Sequence, residues 1–163
     1  MIQEEMSMEK NLFLVKPAAW DSPEGRDLRS IRIRVFVEEQ NVPREEEFDA
    51  VDLACFHVLA YDEEGRLCGT GRLYADAVEK DLAHIGRMAV LKEARGMGCG
   101  AAIMEALILE AERRGFKRVV LSAQEHAIGF YRKLGFECVG ERYWDVNIPH
   151  ILMIRKCLPV PGL

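Results

Sequence analysis

Arg95-Gly96-Met97-Gly98-Cys99-Gly100-Ala101 is the stretch on which the reading of this chain turns. An apolar, strand-like segment, residues 85–91, leads into it. After it, Gly100, Ile103, Met104, Leu107, Ile108 and Ala111 recur at helical spacing. Small residues at such a junction let backbone N–H groups approach an anionic ligand. The first turn of the helix adds unpaired donors and the positive end of its dipole. Together they predict a phosphate-sized anion site, with a pyrophosphate as the best ligand. Gly96, Gly98 and Ala101 formally fit the GxGxxA dinucleotide fingerprint. That turn, however, leaves its strand almost at once, and here Leu91-Lys92-Glu93-Ala94-Arg95 intervenes. No Lys-Ser/Thr pair follows, which excludes a Walker P-loop. The plain alternative is a glycine-rich turn that only connects strand to helix.

Working outward, residues 11–16 read as a first strand. A helix is expected from Ser22 (candidate N-cap) and Pro23 to about Phe36 or Glu39, broken by Asn41-Val42-Pro43. An acidic stretch follows, with Glu45, Glu46, Glu47, Asp49 and Asp52. Residues 54–61 and 67–74 flank the turn Asp62-Glu63-Glu64-Gly65 and predict an antiparallel hairpin, with residues 83–91 as a third strand. The long helix ends at Arg113-Arg114-Gly115. A buried strand at 119–123, a helix at 127–134 closed by Gly135, and strands at 137–143 and 150–156 complete the pattern. The order βα(α)βββαβαββ implies one mixed α/β sheet with helices on its faces.

At 163 residues the chain suits one domain, 1–163, with its core over about 11–157. The net charge of −5 and the lack of a Lys/Arg run argue against nucleic acid. No apolar run is long enough to span a bilayer, and Met1 to Lys10 lacks the apolar centre of a signal peptide. Five scattered cysteines with no CxxC pair indicate neither a disulfide framework nor a metal site, and a cytoplasmic location is expected.

Arg95-x-x-Gly98-x-Gly100 resembles the acyl-CoA motif R/Q-x-x-G-x-G/A of the GNAT N-acetyltransferase superfamily. Gln124-x-x-Ala127-x-x-x-Tyr131-x-x-x-Gly135-Phe136 resembles that family's second signature, with Gln124 in place of the usual Asn. Arg34-Val35-Phe36-Val37-Glu38-Glu39-Gln40 is further similar to the ElaA/YjcF-like subgroup. The resemblance spans about 11–157, and its sharp motifs lie between 85 and 136. It implies a GNAT-like, mostly antiparallel sheet flanked by helices, with a splayed central strand pair that binds acyl-CoA. Met88, Ala89 and Val90 would pair with the pantetheine arm as an added strand does. Backbone N–H groups of Arg95, Gly96, Met97, Gly98, Gly100 and Ala101 would hold the pyrophosphate, and Gln124, Phe130 and Tyr131 would complete the cofactor site. The implied activity is acetyl transfer from acetyl-CoA to a primary amine, on a small molecule or a peptide, by direct attack in a ternary complex. A longer-chain acyltransferase and a non-catalytic acyl-CoA sensor are the alternatives. Dimers are common in the superfamily, so a homodimer is a candidate assembly.

The chemistry needs a neutral amine, a polarised thioester and a proton for the departing thiolate. Tyr131 holds the family's general-acid position, and a phenol stays protonated at neutral pH. A buried packing role is its alternative. His84 falls where histone-acetylating relatives carry a catalytic glutamate and is the candidate base. His57, Glu39, Asp52 and ordered water are rivals. Glu39 and Gln40 close the first helix, where the family builds its acceptor pocket. The acidic segment reads either as an entrance for a cationic amine or as a solvated loop. Trp20 and Trp144 read as core or interface anchors, and Cys99 as a small packing residue.

Overall fold

A computed structural model describes residues 12–161. The reading of Met1 to Lys10 and the first residue of the expected opening strand, Asn11, lie outside them. The elements run β1 (Leu14–Ala18), α1 (Gly25–Arg32) with a π-helical continuation (Ile33–Glu39), α2 (Arg44–Glu47), β2 (Phe56–Tyr61), β3 (Leu67–Ala75) and β4 (Leu82–Val90). They continue with α3 (Cys99–Arg113), β5 (Arg118–Gln124), α4 (Ile128–Lys133), β6 (Glu137–Asp145) and β7 (Ile148–Lys156). The seven strands form one sheet in the order β1-β2-β3-β4-β5-β7-β6. Every neighbouring pair is antiparallel except β4 and β5. The mixed, mostly antiparallel sheet matches the sequence expectation. Among the described residues no helix is long and apolar enough to cross a membrane.

Strand alternation sends side chains to two cores. Val58, Ala60, Leu73 and Ile85 meet Ile103, Met104, Leu107 and Ala111 of α3 on one face. Leu59, Ala89 and Leu91 meet Leu28, Ile31, Val35 and Phe36 on the other. β4 serves both faces because its parity changes midway. Thr70 stands opposite Ala89, but Arg72 stands opposite Gly86, so β4 carries one extra residue. Arg87 lies there in the left-handed region, with φ 50°. This bulge leaves Ala83 and Ile85 on the α3 face before it, and turns Ala89 to the α1 face after it.

The first helix departs from expectation at both ends. Glu24, not Ser22, is its N-cap, and the Ser22 hydroxyl is within 2.7 Å of both the Ala19 carbonyl and the Glu24 carboxylate. Its last seven residues widen into the π form. Such a turn shifts helix register, a change often found beside functional sites. Here Val35 and Phe36 stay in the core and, with Glu39 and Gln40, line a cavity.

Candidate active site

β4 and β5 are paired only from Leu82 to Ile85 and from Arg118 to Leu121. Beyond that β4 runs on to Val90 and β5 to Gln124 without pairing with each other, so the sheet opens between them. The N–H of Leu91 donates to the Cys68 carbonyl of β3, 2.8 Å away. Alternate strand amides point in opposite directions, so that of Val90 points into the opening. A cavity of about 580 Å³ occupies it, lined by β4 from His84 to Val90, by Gln124 and by Tyr131. Glu39 and Gln40 line it from the π-helical end.

Two bridges span this cavity. Arg95 donates through Nε to the Val90 carbonyl at 3.0 Å and through its terminal nitrogen to both Glu39 oxygens, at 2.9 and 2.8 Å. Gln40 and Gln124 exchange amide hydrogen bonds at 2.8 and 3.2 Å, and His126 lies 2.8 Å from the Gln124 oxygen. Gly96 and Gly98 follow Arg95 with φ of 80° and 91°, a backbone that a side chain would strain. α3 starts directly from Gly98, so its first N–H groups, from Cys99, Gly100 and Ala101, have no partner within the helix. Phe130 covers this start: a Cβ on Gly100 would lie 3.3 Å from its ring.

Tyr131 is 9% exposed and lines the cavity. Its ring makes edge contacts with Phe130 and Phe136, and burial pushes its phenol up to about 12. Among the described residues nothing hydrogen-bonds to its hydroxyl. His84 also lines the cavity, stacks flat on Tyr74 at 4.9 Å, and places Nε2 2.7 Å from Asp76. Gly86 lies two residues on, with open space where its Cβ would be. Cys99 is buried, and burial pushes its thiol up to about 12, which fits a packing role.

The acidic segment is divided: Glu45, Glu46 and Asp49 are exposed, with Glu46 at the cavity, while Glu47 and Asp52 turn inward. Glu47 and Asp52 are 2% and 1% exposed and bind Arg32, itself 1% exposed, at 2.8 and 2.6 Å. Arg72 joins Asp49 and Asp52, and Arg87 at the β4 bulge joins Glu47 and Asp49. Three guanidiniums thus neutralise three carboxylates and tie α1, β3 and the bulge together. Burial lifts Asp52, but hydrogen bonds from Arg32 and the Asp49 amide outweigh it and hold the carboxyl at about 2. For Glu47 burial prevails over Arg32 and Arg87, and its carboxyl is raised.

Two rival bases fall outside the cavity lining. Asp52 is held by its two arginines, and buried His57 stacks on Trp20 with Nε2 on the Asp52 carbonyl at 2.7 Å. Asp52, Cys55 and His57 converge closely enough to suggest a metal. The guanidiniums on Asp52 and a Cys55 thiol pushed up by burial to about 11 oppose a cation there. Trp20 is an interior anchor, while Trp144 is 69% exposed on β6. Sequence reasoning missed Tyr74, Asp76, Gly86 and the arginines. The hairpin register brings Tyr74 opposite His84, and no local motif announces that pairing.

Residues 25–136 match the family model "Acetyltransferase (GNAT) family". The chain belongs to the GNAT acetyltransferase family. Within it, the chain is 37% identical over 131 residues to the uncharacterized N-acetyltransferase YjcF of Bacillus subtilis, covering 80% of this chain and 91% of that protein. The crystal structure of an acyl-CoA N-acyltransferase from Pseudomonas aeruginosa superposes with a TM-score of 0.75 at 35% identity, over 88% and 97% of the two chains. Escherichia coli ElaA superposes with a TM-score of 0.77 at 29% identity, over 88% and 99%. These relatives place the GNAT domain in the ElaA/YjcF-like subgroup.

Proposed function

We propose that this chain is a single N-acetyltransferase domain that moves the acetyl group of acetyl-CoA to a primary amine by direct attack. The observation that carries the reading is the opening between β4 and β5. It runs from an inward-facing Val90 amide to a left-handed glycine turn at a helix start. An acyl-CoA laid along β4 would put its diphosphate on the amides of 95–101 and its thioester beside Val90 and Tyr131.

The Val90 N–H then polarises the thioester carbonyl and receives the oxyanion. His84 takes one proton from the acceptor ammonium, and the neutral nitrogen attacks the carbonyl carbon. As the C–N bond forms and the C–S bond breaks, Tyr131 gives its proton to the thiolate. The amide nitrogen loses its second proton, which restores the phenol through solvent, and His84 returns its own to solvent. Burial of Tyr131 keeps it protonated at neutral pH, which suits this role.

Free-thiol release from acetyl-CoA over an amine panel tests the reading. Tyr131→Phe should lower kcat by about 10²-fold or more, with CoA affinity retained in calorimetry. Unchanged turnover in this variant removes Tyr131 from the acid role. CoA binding without turnover on any amine favours a sensor module instead, and turnover only with longer thioesters favours a longer-chain acyltransferase.

Gly86 sits at the β4 bulge, and nothing lies within 4 Å of where its Cβ would be, so a side chain there would take up cavity space rather than displace a neighbour. Gly86→Val should raise the acceptor KM about tenfold. The melting temperature should hold or rise, because a strand-interior glycine costs about 0.5–1 kcal/mol. A lower melting temperature with an unchanged KM would assign Gly86 to packing.

A further inference from the structure

We infer that Asp76 is a positioning residue that fixes the tautomer of His84, so that Nδ1 is the nitrogen that accepts the acceptor's proton. The inference rests on the acetyl-transfer reading. Asp76 ends a chain of fixed hydrogen bonds just past β3. Its Oδ2 accepts the amides of Val78 and Glu79 at 3.0 and 2.8 Å, and its Oδ1 meets His84 Nε2 at 2.7 Å. The turn amides and His84 hold the Asp76 carboxyl down at about 2, so it remains an acceptor at neutral pH. An ionised carboxylate can only accept, and Nε2 must therefore carry the proton. Nδ1 is left with a lone pair and, among the described residues, no partner. The face-to-face stack on Tyr74, 4.9 Å apart and tilted 4°, fixes the ring plane. Backbone turn, carboxylate and imidazole thus form one preorganised line at the edge of the cavity that His84 lines, the arrangement by which an orienting carboxylate makes a histidine a directed base.

One substitution reverses the tautomer while keeping the shape. In Asp76→Asn the side-chain oxygen still satisfies the turn amides, and its NH₂ faces Nε2. Nε2 must then accept, the proton moves to Nδ1, and the base is lost. Long-range nitrogen–proton NMR, with the His84 signals assigned against His84→Gln, should show Nε2–H in the wild type and Nδ1–H in Asp76→Asn. The variant should lose about 10²-fold in kcat with the acceptor KM and CoA affinity unchanged. His84→Ala/Asp76→Asn should be no slower than His84→Ala alone, since Asp76 acts only through the ring. A thermal melt and CoA calorimetry on each variant check that it is folded.

A tautomer that flips without slowing the reaction overturns the inference, as does slowing without a flip, or additive losses in the double variant. A wild type that binds CoA but acetylates no amine overturns the acetyl-transfer reading and the base role with it. The tautomer spectrum would still report whether Asp76 sets the ring.

Discussion

Asp52→Asn lowers the unfolding free energy by about 3–5 kcal/mol, the cost of removing one charge from a buried ion network. Asp52 is 1% exposed and receives hydrogen bonds from both Arg32 and Arg72. Without its charge, two guanidiniums lie in the interior facing only Glu47 and Asp49. The measurement is urea unfolding of both proteins, read as a lower midpoint at unchanged slope. A change within about 0.5 kcal/mol, typical of a surface site, would contradict the burial argument. The same group sets an acid limit. Its folded value of about 2 lies below the ordinary 3.8, so its contribution is complete above about 4. That contribution disappears as the pH falls through about 2. Glu47 acts in the opposite sense: its carboxyl is raised, so protonation at falling pH relieves a penalty. Acid unfolding of Asp52→Asn should accordingly show a weaker pH dependence below pH 4 than that of the wild type.

Gly98→Glu should weaken CoA binding by 100-fold or more, about 2.7 kcal/mol. Two effects combine. Gly98 has φ 91°, where a side chain costs about 1–2 kcal/mol, and a carboxylate there repels a diphosphate at the start of α3. Gly98→Asn separates them, since asparagine tolerates this backbone and carries no charge. It should lose less than tenfold by calorimetry. Equal losses in the two variants would make the effect one of backbone strain, and retained affinity in a folded Gly98→Glu would remove the glycine turn from the site.

Local signals carried much of the fold and named the residues proposed to hold the cofactor. Arg95, Gly98, Gly100 and Tyr131 sit in motifs of fixed spacing, and the opening beside them is what the family resemblance, not any single segment, implies. Element ends were less legible. The π-helical stretch 33–39 has the same apolar spacing as an α-helix, so nothing in the residue types marked it. The surroundings of His84 were less legible still. Asp76 reaches His84 only because a turn of the chain folds back on β4. Arg32 faces inward because the carboxylates of a segment distant in sequence receive it. Nothing in the acidic run marked Glu47 and Asp52 as its inward members, since the three arginines that neutralise it come from three separate elements.

A crystal structure of the chain with CoA bound tests the central claim most directly. The account predicts the diphosphate on the backbone amides between Gly96 and Ala101, the pantetheine along Met88–Val90, and the sulfur between the Val90 amide and the Tyr131 hydroxyl. CoA seated elsewhere, with the gap between β4 and β5 left open to water, would contradict it.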